Sequence, residues 1–211
     1  MSGSISPPRI SISTAPPAPD AHFLGSGLFG GVQHFVRAYG NVAAHAAIAR
    51  LSPTSRMWVK PNAESLGILG AKRYPYSFVG ELVRAMAAAI KKDEDAYCRE
   101  FAAQGIDFTL ETVNRVILRH LGSPRSLADR AQELWQMYHS AGRVVVDWVG
   151  KTEYLVTIHD WPSHDVTVCK VCMEARRRII ELTHAQDVEV RREKCQGWGH
   201  DVCTNRVRWR E

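Results

Sequence analysis

A chain of 211 residues, 45% apolar and 23% charged, has the composition of one globular domain, with enough length for a sizeable core and too little for two ordinary ones. The formal charge of +5 is scattered among acids, and the clusters Arg176 to Arg178, Arg191 to Arg192 and alternating Arg206, Arg208 and Arg210 fit solvated faces, so no nucleic-acid partner is expected. No apolar run is long enough for a bilayer and the start lacks an apolar leader core; with an odd number of cysteines, five, this leads us to expect a cytoplasmic chain whose sulfurs serve as thiols or metal ligands.

In chain order, residues 1–22 are rich in Ser, Pro and Ala and read as a disordered tail or tether, leaving 23–211 as a single domain. Helical patterning starts at Phe29 and runs to Gly40, after which Asn41 can cap a segment through Ile48 and Leu51 that stops before Pro53. Tyr74 to Ile90 places Phe78, Leu82, Val83, Met86 and Ile90 on one face, the pattern of an amphipathic helix opened by Pro75. Asp93, Glu94 and Asp95 suit the start of a further helix through Tyr97 and Phe101, which Gly105 is expected to close. Thr112 to Leu121, with His120 on its inward side, and the stretch from Ser123-Pro124 to Tyr138 complete the helical part.

Past Gly142 the period shortens. Arg143 to Val149 and Thr152 to His159 read as a hairpin turning at Gly150-Lys151, Asp165 to Thr183 as a long helix, and Val188 to Lys194 and Val202 to Trp209 as two further strands. N-terminal helices followed by strand, strand, helix, strand, strand define an α+β domain with a mainly antiparallel sheet.

The chemistry concentrates in four cysteines. Cys169 and Cys172 lie three apart near the start of the long helix and can share a face. Cys195 and Cys203 flank a seven-residue loop between two strands, and a hairpin brings the ends of its loop together. Two such pairs fit a closed tetrahedral thiolate site, for which zinc with Zn–S distances of about 2.3 Å is the expected structural cofactor. The competing reading is four buried apolar thiols. Glu193, His200 or His164 can replace Cys172 as the fourth ligand, since Glu and His are ordinary zinc ligands. A closed site leaves no position for a reactive water, and no Walker, Rossmann or Gly-x-Ser-x-Gly motif occurs, so no catalytic residues are assigned.

The run CKVC, then EKCQGWGHDVCTNRVRW, resembles the end of the 4-vinyl-reductase domain, a small-molecule-binding domain related to haem-nitric-oxide-binding domains. Cys169, Cys195 and Cys203 match that family's cysteine positions. Arg192 stands where the family has a glutamate, which favours Cys172 as the fourth ligand. The segment LGSPRSLADRAQELWQMYHSAG also resembles a bacterial family of the same layout common in myxobacteria. The first resemblance implies a ligand hydroxyl held by a His and a Trp upstream of the first metal-site Cys, at positions that His120 and Trp148 match, although an inward His is as readily a packing residue. The haem-gripping Tyr-x-Ser-x-Arg signature does not occur. The resemblance therefore implies a non-catalytic sensory domain for a small apolar or aromatic molecule, acting through a protein partner. The alternatives are a filled-core scaffold and an enzyme of tetrapyrrole vinyl reduction. Related domains pair, so a homodimer is expected, with the Tyr74–Ile90 helix face as the candidate interface.

Overall fold

The computed structural model describes residues 21–112 and 122–211, with backbone alone at 111 and 112. The expected 112–121 helix, with His120, and most of the expected tail lie outside the described residues.

The chain opens with β1 (His22–Leu24), paired antiparallel to β2 (Arg73–Pro75). Neither three-residue strand is long enough to show alternation. Between them run α1 (Ser26–Arg50) and α2 (Pro53–Arg56). As the sequence suggests, α1 breaks at Gly40, whose φ of 76° no helix accommodates. Then come α3 (Tyr76–Ala89) and α4 (Glu94–Thr112). Gly105 does not stop α4. It sits where α4 crosses α1, and a Cβ there would come within 3.1 Å of the Gly27 carbonyl, while one on Gly31 would lie 2.7 Å from the Phe101 ring. These glycines serve close helix approach, which sequence alone confuses with termination.

The expected single helix after Ser123 is two short ones, α5 (Pro124–Asp129) and α6 (Ala131–Tyr138), separated at Arg130. Ser123 caps α5 in a capping box with Ser126. The hairpin β3 (Arg143–Gly150) and β4 (Glu153–His159) is followed by α7 (Val166–Glu181), then β5 (Gln186–Lys194) and β6 (Cys203–Arg210). These four strands form one wholly antiparallel sheet in the order β3-β4-β6-β5, the α+β architecture expected. Tyr154, Val156 and Ile158 alternate onto the buried face of β4, opposite Val207, Asn205 and Cys203 of β6. Among the described residues, no helix is long and apolar enough to cross a membrane.

The apolar face of α3, the suggested dimer surface, is spent inside the chain: Phe78, Leu82, Val83 and Met86 are at most 1% exposed. Arg176, expected on a solvated face, turns inward instead.

Candidate functional site

Two neighbouring features share α7. The first lies at its N-terminus. Asp165 caps the helix, its Oδ1 accepting from the backbone N–H groups of Thr167 (2.8 Å) and Val168 (3.0 Å), and Arg84 pairs with its Oδ2 at 2.9 Å. The cap fixes Cys169 in the first turn and His164 just before it. From the sheet, Cys195 directly follows β5 and Cys203 begins β6. The connection between them is drawn tight: Trp198 and His200 both donate to the Cys195 carbonyl, and Gly199 takes a φ of 87°. The Gln196 N–H points at Cys203 Sγ at 3.4 Å.

The result is a quartet of His164, Cys169, Cys195 and Cys203, whose ligand atoms all lie within 4.8 Å of one another. A tetrahedral centre with metal–thiolate bonds of about 2.3 Å has ligand atoms about 3.8 Å apart, close to what the fold supplies. His164 Nε2 stands 3.7 Å from Cys195 Sγ. Hydrogen bonds from the Cys169 thiol pull Cys203 and Cys195 below the ordinary thiol range and push Cys169 up. Burial alone would lower His164, but its contacts with Cys203 and Cys195 hold it above the ordinary imidazole value.

Cys172, one turn along α7, stands outside this quartet. Its Sγ is 3.7 Å from His139 Nε2, and burial raises its pKa to about 12. Glu193 is engaged by Arg191 and Arg206, and His200 Nδ1 lies 3.1 Å from the Cys195 carbonyl. Of the alternatives read from sequence, His164 is the one the fold brings to the three cysteines.

The second feature is a cavity of about 170 Å³ between α1, α4, α6, α7 and β4, walled by side chains such as Phe23, Ile106, Leu134, Val171 and Ile179. Its polar groups are few. His139, directly after α6, is buried; its Nδ1 meets the Tyr76 hydroxyl at 2.5 Å, its Nε2 faces Cys172, and its ring stacks on Trp135. Burial, then the charges of Arg176 and Arg73, depress His139 well below the usual imidazole value, so it is neutral. Arg176 lines the same space. Trp148 is not among the lining residues: its ring packs against Tyr154 and Trp209 and lies under the Arg125 guanidinium, 4.9 Å away. His139 and Arg176 escaped the sequence reading. The one available signal was the four-residue step from Trp135 to His139, which continues an amphipathic face.

No family matches this chain by sequence, and no curated protein does. Solved structures do match its fold. An Fe(II) unliganded H-NOX protein from K. algicida is similar over 89% of this chain and 97% of its own, with a TM-score of 0.66 at 12% identity. An H-NOX protein from S. oneidensis in the Fe(II)NO ligation state covers 88% of this chain and 99% of its own, with a TM-score of 0.65 at 12% identity. A T. Tengcongensis H-NOX mutant reaches 0.62 at 13% identity over 89% and 97%. The domain thus has the α+β fold of H-NOX proteins.

These neighbours correct one expectation. The cofactor named for the solved structures with this fold is iron or haem, as in one titled for modulating haem redox potential through porphyrin distortion, and this overturns zinc as the expected cofactor. The described residues do not fit a haem either. A cavity of about 150 Å³ holds a benzene-sized molecule, and one of about 170 Å³ is far short of a tetrapyrrole. Among the described residues, the histidine lining it has both ring nitrogens engaged and one face covered by Trp135.

Proposed function

We propose that this chain is a non-catalytic, sensory small-molecule-binding domain, of the kind its resemblance to the 4-vinyl-reductase domain implies, which passes occupancy to a protein partner. The observation that supports it is the cavity: lined by four helices and a strand, apolar over most of its wall, and equipped with a few convergent polar groups. Its size suits a small apolar or aromatic molecule. The H-NOX neighbours, titled for ligation states at iron, support a sensing role for the fold. The quartet beside the cavity belongs to the proposal as a transition-metal site. Three thiolates and an imidazole are soft ligands, and four protein ligands leave no position for a reactive water. Self-association is also part of this reading, through a surface other than α3.

The test is thermal melting of the purified chain with a panel of small aromatic and aliphatic compounds, beside an Ala175→Leu variant. Ala175 lines the cavity, so leucine there fills it. Compounds that raise the melting temperature of the wild type and not of the variant support the reading. A wild type that no compound shifts, and that carries no small molecule in native mass spectrometry, overturns it in favour of a filled-core scaffold. Light scattering on the same sample should give twice 23.6 kDa.

A further inference from the structure

We propose that the molecule taken up by this cavity is a small organic carboxylate whose anionic end pairs with the Arg176 guanidinium. The inference rests on the reading of the cavity as a ligand site and specifies what that site selects.

The three consecutive arginines of α7 differ in their partners. Arg177 pairs with Glu174 at 3.0 Å and donates to the carbonyls of Val188 and Val190, and Arg178 makes a two-pronged pair with Asp107 at 2.9 and 3.1 Å. Arg176 has no acidic partner among the described residues, and its Nη1 is fully buried without a hydrogen-bond partner. The groups around it are neutral: burial drives the His139 imidazole down and the Cys172 thiol and Tyr154 phenol up. Arg73 adds a second positive charge felt at His139. A guanidinium whose Nη1 is buried beside apolar walls, with no counter-ion among the described residues, carries a desolvation cost that an anion offsets.

A carboxylate supplies two acceptors in the fork geometry that a guanidinium matches. An inorganic anion such as phosphate would need several donors around it, and the wall beyond Arg176 is formed by Leu134, Val156, Ala175 and Ile179. An organic acid places its charge on Arg176 and its hydrocarbon against those residues. Both ring nitrogens of the neutral His139 are engaged, Nδ1 with the Tyr76 hydroxyl and Nε2 with Cys172, which leaves Arg176 as the charged anchor.

The experiment is a titration of the full chain with benzoate and hexanoate, each against its neutral amide of the same shape, benzamide and hexanamide, in wild type, Arg176→Gln and Arg176→Lys. The acids should bind wild type about ten-fold or more tighter than the amides. Arg176→Gln should abolish that preference while amide affinity stays within about three-fold, and Arg176→Lys should keep part of it. Arg176→Gln should also melt no lower than wild type without ligand, since it removes a buried Nη1 that has no hydrogen-bond partner among the described residues. Amides binding as tightly as acids, or an acid preference that survives Arg176→Gln, overturns the carboxylate inference and leaves the cavity reading standing. Failure of all four compounds to bind wild type overturns both. If Arg176→Gln and Arg176→Lys both unfold, Arg176 is a structural residue and the inference falls.

Discussion

The His139 imidazole lies face to face with the Trp135 indole, ring centroids 3.5 Å apart and planes 3° from parallel. One residue thus lines the cavity wall, meets the Tyr76 hydroxyl and faces Cys172. Its folded-state pKa is depressed, chiefly by burial, so as pH falls the unfolded chain takes up the proton first. The stability tied to a neutral His139 is complete above the unfolded value of about 6.5 and is lost as pH drops below it. Denaturant unfolding between about pH 7.5 and pH 5 should show wild type losing up to about 1.4 kcal/mol per pH unit more than His139→Gln. Parallel curves for the two would show that His139 titrates alike in the folded and the unfolded chain.

Tyr76→Phe removes the hydroxyl that meets His139 Nδ1 from a buried site without opening a cavity. The orphaned nitrogen should cost about 1 to 3 kcal/mol in equilibrium unfolding. A neutral result would mean that water replaces the hydroxyl.

Gly80 of α3 faces the carboxylate that caps α7. A Cβ there would stand 2.2 Å from Asp165 Oδ1, so Gly80→Ala should push Asp165 from the helix start and destabilise the fold by about 1 to 3 kcal/mol. Because the same cap positions Cys169 and His164, native-state thiol titration should also quicken. Unchanged stability and thiol reactivity would show that α3 and α7 part without consequence.

The quartet predicts a division among the cysteines. Cys195→Ser and Cys203→Ser should lower transition-metal content, measured by elemental analysis, and with it stability, since metal binding in such sites is coupled to folding. Cys172→Ser should leave metal content unchanged, because Cys172 faces His139. Equal loss in all three variants would return Cys172 to the ligand set.

What could be read from the sequence followed from local rules. The hairpin cysteines come together because β5 and β6 are adjacent antiparallel strands, and a pair flanking a turn-rich loop announces that. The start of α7 at Asp165 is equally local, whereas the β3–β4 turn falls at Lys151-Thr152, one residue past the expected Gly150-Lys151, because the register shifts between Trp148 and Gly150. Gly105 was misleading because close approach to α1 is a tertiary demand. Spacing favoured Cys172 over His164, since positions three apart on a helix look paired, yet the fold turns the second toward the cavity and brings in a side chain from the preceding loop. Arg176 was hidden by its company: three arginines in a row look like solvent-facing charge, and only the packed structure separates the one without an acidic partner among the described residues.

Cys169 and Arg176 stand seven positions apart on α7, two helical turns, or about 10.5 Å of rise. That short rod ties the thiolate quartet to the cavity wall. An occupant that displaces the Arg176 end works against a helix clamped at its other end, so the motion must emerge as a tilt about the quartet. The β5–β6 loop, closed by Cys195 and Cys203 of the same clamp, carries Trp198 at 56% exposure beside that pivot. Trp135 lines the cavity and Trp198 sits at the clamp, so a fluorescence change on filling that persists in Trp135→Phe would show the clamp itself shifting.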